Sequence, residues 1–305
     1  MCGISQDIFL YAKRRLLTLV KTIAFHSYKG GTGKTTISAN LSTLLVSKGF
    51  NVLLIDMDVY APSLHVYFNS KPEKWMNNYL LDDLEFSDVV YDYTHIIQDF
   101  PSDSDNGKKG ILSIVFSNPK KEEITSLDFQ NRDSSKSQML KKMLYLREKT
   151  NSDIKYDYII LDTSPGIRHW SINSLAIADV IILSLKMDHI DIEGTKQMAT
   201  DVYKSFINFG AKSYLLLNRI AGYCTPAKLN KDMISKPGRF EFTLLEQSET
   251  MVDLENYLKM DVISTIPCYC DIQFERQEFI TVLKYPDHPF VDKMNELINV
   301  ISSSA

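Results

Sequence analysis

The sequence predicts a doubly wound α/β fold, a mostly parallel sheet flanked by helices. Three observations carry this. Seven short runs rich in apolar and β-branched residues are each nearly continuous in apolar character, as in parallel strands buried on both faces. Helical stretches separate most of these runs, so strand and helix alternate. The first run passes through a glycine-rich turn directly into a helix.

In chain order, strands are expected at Thr22–Ser27, Asn51–Asp56, Ile111–Ser117, Tyr156–Asp162, Val180–Lys186, Ser213–Ile220 and Asp261–Pro267. Helices are expected at Lys34–Lys48, Lys136–Lys149 and Asp191–Phe209. Phe100–Gly110 and Pro119–Ser135 are polar or charged and read as loops. The last segment, His288–Ser304, spaces Phe290, Val291, Met294, Leu297, Ile298 and Ile301 along one face, with Lys293 as its cation. It reads as a helix docked on the domain, not a basic membrane anchor. No repeat or linker divides residues 21–305, which are read as a single domain. Residues 1–20 form an N-terminal extension, expected to be helical, with Lys13, Arg14 and Arg15 among apolar residues. It would pack on the domain or a partner, or lie peripherally on an anionic membrane.

A net charge of −4 over 305 residues excludes a strongly basic chain that coats nucleic acid. Charge is nevertheless uneven. Lys212–Arg239 holds six basic residues and one acidic, and Glu241–Asp261 six acidic and one basic. These are either two solvated faces or, for the first, a surface for nonspecific DNA. The four cysteines follow no secretory signal and read as reduced thiols of a cytoplasmic protein. Cys268-Tyr269-Cys270 could give half of a tetrahedral metal site shared across a dimer, but fits better as buried structural cysteines.

The most specific signal is Tyr28-Lys29-Gly30-Gly31-Thr32-Gly33-Lys34-Thr35-Thr36. Glycines in such a turn let backbone N–H groups converge on phosphate oxygens, and the helix N-terminus adds its positive dipole end. Lys34 would reach the β- and γ-phosphates, and the Thr35 hydroxyl would ligate Mg²⁺. The ordinary loop pattern would place Gly where this chain has Tyr28, and Lys29 is a second lysine within the run.

This loop resembles the deviant phosphate loop of the ParA/MinD family of ATPases. Leu53-Leu54-Ile55-Asp56-Met57-Asp58 resembles the strand ending in that family's first switch. Tyr156 to Gly166 (YDYIILDTSPG) resembles its metal-side strand and second switch. Leu217-Asn218-Arg219 resembles the strand end that reads adenine. The resemblance runs from about Lys21 to the last helix and implies a P-loop NTPase fold with ATP and Mg²⁺.

It also implies roles. Gly30, Gly31, Thr32, Gly33, Lys34, Thr35 and Thr36 would cradle phosphate. Asp58 would orient the attacking water, its rival reading being a cap for the Pro62–Leu64 turn. Asp56 and Asp162 would support Mg²⁺ through water. Lys29 would cross a homodimer interface to the other subunit's nucleotide. Asn218 would read the adenine edge, its rival reading being a cap on local backbone, and Pro267 would wall the base pocket. Lys29, Lys34 and Asp58 form the expected catalytic set.

The expected function is an ATP-dependent dimerising switch, slow in turnover, that positions or partitions DNA or another cargo with an activating protein partner. The alternatives are a MinD-like membrane-associated spatial regulator and a metal or iron–sulfur cluster carrier. Nucleoid or membrane association would follow from the first two.

Overall fold

The apolar runs pair into one eight-stranded sheet because each buries side chains on both faces and satisfies its backbone only against neighbours. The structure, a computed structural model, describes residues 20–81, 84–100, 107–120, 122, 141–148, 156–203, 211–220, 249–273 and 279–303. The strands are β1 (Lys21–His26), β2 (Val52–Met57), β3 (Tyr91–Asp92), β4 (Leu112–Val115), β5 (Tyr158–Thr163), β6 (Val180–Leu185), β7 (Lys212–Ile220) and β8 (Asp261–Pro267). Their order is β3-β4-β2-β5-β1-β6-β7-β8. Every pairing is parallel except β3 with β4.

All seven expected strands are present, with ends moved by a few residues. Two-residue β3 is an addition, too short to leave a periodic signal. Helix α1 (Lys34–Ser47) follows the glycine turn as expected. Residues 141–148 are helical (α2), the described part of the expected Lys136–Lys149. Then come α3 (His169–Ala176), α4 (His189–Met198), α5 (residues 249–258) and α6 (Pro289–Ser303). Helix α4 begins earlier than expected because Asp188 caps it, its carboxylate accepting the Asp191 N–H at 2.9 Å. It gives way at Ala199–Tyr203 to a π turn.

Helix α1 is buried almost all round, between the sheet and α6. Two of its interior polar residues are satisfied within the helix or by a neighbouring segment. The Thr43 hydroxyl donates to the Ala39 carbonyl, and Asn40 bridges the Thr36 carbonyl and the Val282 N–H. Helix α6 buries all six residues that the spacing selected. Among the described residues, no helix is long and apolar enough to cross a membrane. The expected N-terminal helix (residues 1–19), most of the Pro119–Ser135 loop and the basic segment beyond Ile220 lie outside the described residues.

The sheet order sets β2, β5 and β1 side by side with their C-terminal ends together. Asp56 registers against Asp162, and Phe25 against Asp162 on the other side. The turns after these strands therefore meet at one edge of the sheet.

Candidate functional site

At that edge the Ser27–Gly33 turn runs from β1 into α1. Gly33 has φ +88°, a left-handed conformation that leaves no room for a side chain, because a Cβ there would run into the Asn218 amide. Lys34 is buried and donates from Nζ to the Ser27 hydroxyl at 2.8 Å. Ser27 in turn donates to the Lys29 carbonyl at 2.6 Å. Burial pulls the Lys34 pKa down, while the facing carboxylates of Asp162, Asp58 and Asp191 oppose it. The departure at Tyr28 has a packing reason. Its ring lies against Gly194 of α4, in the space a Cβ there would fill.

The three aspartates behave differently. Asp162 is buried, and among the described residues its carboxylate is bonded by no backbone N–H and faced by Lys34 and the Thr35 hydroxyl. Burial raises its pKa to about 7, Lys34 and Thr35 oppose that rise, and Asp58 adds to it. A buried carboxylate left in this state fits the shell of a hydrated cation, and the Thr35 hydroxyl beside it completes an all-oxygen donor set of the kind Mg²⁺ takes. Asp56 is equally buried, but its oxygens accept the Asp58 N–H at 3.0 Å and the Leu64 N–H at 3.4 Å. Burial, then Asp162 and Asp58, push its pKa well up.

Asp58 holds the turn after β2. Its Oδ1 accepts from the Tyr60 N–H (3.3 Å), the Ala61 N–H (3.1 Å) and the Ser164 hydroxyl (2.8 Å). The capping role weighed for Asp58 at Pro62–Leu64 belongs instead to Asp56, which reaches the Leu64 amide. Ser164 thus joins the turn after β5 to the turn after β2. Lys29 is half-buried, and its charge acts on buried Asp191 of α4.

Asn218 bonds backbone on two sides. Its Nδ2 donates to the Thr32 carbonyl at 2.7 Å, and its Oδ1 accepts the Arg219 N–H at 2.9 Å. It ties the end of β7 to the glycine turn. Asn218 and Pro267 nevertheless line one cavity of about 150 Å³ with Gly33, Thr36 and the rings of Tyr67, Tyr269 and Phe279. A wider cleft of about 670 Å³ holds Gly30, Gly31, Lys34, Thr35, Asp58 and Ser164. Gly33, Thr36, Tyr67 and Arg219 border both, and the Thr36 and Tyr67 hydroxyls lie 2.7 Å apart.

Sequence reasoning missed Tyr67, Tyr269, Phe279 and Arg168 as site residues. The rings carry no local pattern, and Arg168 stands just past the recognised motif. His26 was missed too. It is buried at the end of β1 with Nδ1 2.7 Å from the Thr163 hydroxyl, and burial with nearby Lys34 lowers its pKa to about 3. Cys268 is half-buried, which corrects the expectation of a buried thiol, because β8 ends at Pro267 and releases the chain towards solvent. The Cys270 side chain lies outside the described residues. Among the described residues, no group of three or more His, Cys, Asp or Glu side chains is placed to hold a metal directly.

The AAA-domain family profile matches residues 20–208. A putative replication protein A of Sinorhizobium fredii is 27% identical over 59% of this chain. This chain spans 42% of that relative's length. The septum site-determining protein MinD of Pyrococcus horikoshii OT3, solved with Mg-ADP, superposes with a TM-score of 0.62 at 18% identity, covering 91% of this chain and 94% of that one. A putative plasmid partition protein of Borrelia burgdorferi B31 bound to AMPPNP gives a TM-score of 0.59 at 20% identity over 94% of this chain and 99% of that one.

Proposed function

The chain belongs to the AAA-domain family as a P-loop ATPase of the ParA/MinD type, and from that premise we propose that it is a nucleotide switch. It hydrolyses ATP to ADP and phosphate and dimerises while ATP is bound. The carrying observation is buried Asp162, bonded by no backbone N–H and facing Lys34 and the Thr35 hydroxyl beside the glycine turn.

In this reading Gly30 to Gly33 present backbone N–H groups to the phosphates, and Lys34 neutralises the β- and γ-oxygens. Thr35 and, through water, Asp162 and Asp56 would hold Mg²⁺, which supplies charge neutralisation across the same oxygens. Asp58, fixed through Oδ1 by two amides and Ser164, keeps Oδ2 to orient the attacking water. The water oxygen bonds to the γ-phosphorus as the bond to the ADP oxygen breaks. Lys29, from a partner protomer, adds a cation to the leaving charge. Because Ser164 bonds Asp58, loss of the γ-phosphate reaches both turns at once, which suits a switch.

The cargo we propose is DNA or a DNA-bound body, as the partition and replication names of the similar proteins suggest. The test uses Asp58→Ala, expected to hold ATP without turning it over. Binding to random-sequence duplex DNA, present with ATP, absent with ADP and weakened by salt, supports this reading. A protein that dimerises with ATP yet binds no DNA in either nucleotide overturns the DNA cargo.

A further inference from the structure

Two arginines border the phosphate cleft, and one of them has an unusual partner. Arg168 is exposed, and its guanidinium lies 4.0 Å from the centroid of the Tyr60 ring. Among the described residues it meets no carboxylate. Both side chains line the cleft that holds Lys34, Thr35 and Asp58.

The backbone beneath Arg168 is fixed. The Gly166 N–H donates to the Ser27 carbonyl at 2.8 Å, which ties this segment to the phosphate loop. The Ser171 hydroxyl donates to the Ser164 carbonyl at 2.8 Å, and the Ile172 N–H to the Arg168 carbonyl at 3.0 Å. The residue therefore has an anchored base at the start of α3 and a head resting on an exposed ring.

We infer that Arg168 is a γ-phosphate-binding residue supplied from within the same chain, parked on Tyr60 until a triphosphate enters the cleft. This rests on the nucleotide reading above and adds a second cation to it. An exposed cation–π contact is weak beside a guanidinium–phosphate pair, whose planar donors match two oxygens at once. The exchange therefore favours the phosphate. A diphosphate ends one phosphoryl group short of this cation and leaves Arg168 on Tyr60. Arg168 thus discriminates ATP from ADP, and Tyr60 sets how readily it is released.

The experiment measures binding of AMPPNP and of ADP, each with Mg²⁺, to the full chain and to Arg168→Ala, Arg168→Lys and Tyr60→Ala. Arg168→Ala should weaken AMPPNP tenfold or more and ADP less than twofold. Arg168→Lys should recover part of the loss, because it keeps charge without the planar fork. Tyr60→Ala should bind AMPPNP at least as tightly as the unaltered chain. Normal ADP binding with an unchanged AMPPNP preference in Arg168→Ala overturns this inference alone. Equal weakening of both nucleotides in Arg168→Ala and Tyr60→Ala also overturns it, since the pair would then be a structural latch. If the unaltered, folded chain binds neither nucleotide, the nucleotide reading fails and takes this inference with it.

Discussion

The two cavities at the sheet edge are built in opposite ways. The phosphate cleft is made largely from short contiguous stretches: the turn after β1, the turn after β2 and the turn after β5. The base-side cavity gathers Thr36 from α1, Tyr67 after β2, Asn218 from β7, Pro267 and Tyr269 around the end of β8, and Phe279 before α6. Phosphate recognition needs backbone N–H groups at fixed spacing, so its chemistry is written locally. A wall for a flat ring needs only apolar surface, which any distant element can supply. The first cavity therefore constrains sequence tightly and the second loosely.

Gly33 is where the two cavities touch, and its alteration should have the largest effect. Gly33→Ala forces a side chain into a left-handed backbone and against Asn218. We expect nucleotide binding to fall at least 100-fold, measured by calorimetry. Binding within threefold would break the claim that this position cannot carry a side chain.

Asp162→Asn comes next and separates function from stability. Burial disfavours this carboxylate while buried Lys34 faces it, so the two effects oppose each other and the melting temperature of the nucleotide-free protein should stay nearly unchanged while turnover falls about 100-fold. A lowered melting temperature would show that the carboxylate serves the fold.

His26 lies fully buried beneath the glycine turn, whereas His288, against Tyr269 on the base side, is only half-buried. The His26 folded pKa of about 3 lies below the unfolded value, so the unfolded chain binds the proton first. Its contribution is full above about pH 6.5 and lost as pH falls towards 3, costing about 2 kcal/mol by pH 5. Denaturant titrations should show a flatter acid limb for His26→Gln than for the unaltered chain. Parallel curves would show that the buried ring is not the source.

The smallest effect is expected on the base side. Tyr67→Phe removes the hydroxyl that meets Thr36 and keeps the ring. ATP affinity should change by about twofold to fivefold, the scale of one neutral hydrogen bond. A hundredfold loss would make the base cavity as demanding as the phosphate cleft.

The same contrast explains what could be read from the chain. The sheet was legible because buried parallel strands must be apolar throughout, and α6 because six residues share one face. The glycine turn, Lys34 and the aspartates were legible because their spacing is chemical. The division of labour among the aspartates was not. Asp56 and Asp162 look equivalent in sequence, yet one is bonded to two amides and the other to none. Asn218 was expected to face an adenine edge, whereas its amide bonds the Thr32 carbonyl of a turn over 180 residues away in the chain. Such contacts follow from sheet order, which no local window contains.

The central claim is that the third phosphate changes the state of the protein. Sedimentation of the unaltered chain with Mg²⁺ and saturating AMPPNP or ADP tests it most directly. A dimer is expected with AMPPNP and a monomer with ADP. The same sedimentation coefficient in both, with each nucleotide shown to be bound, would contradict it.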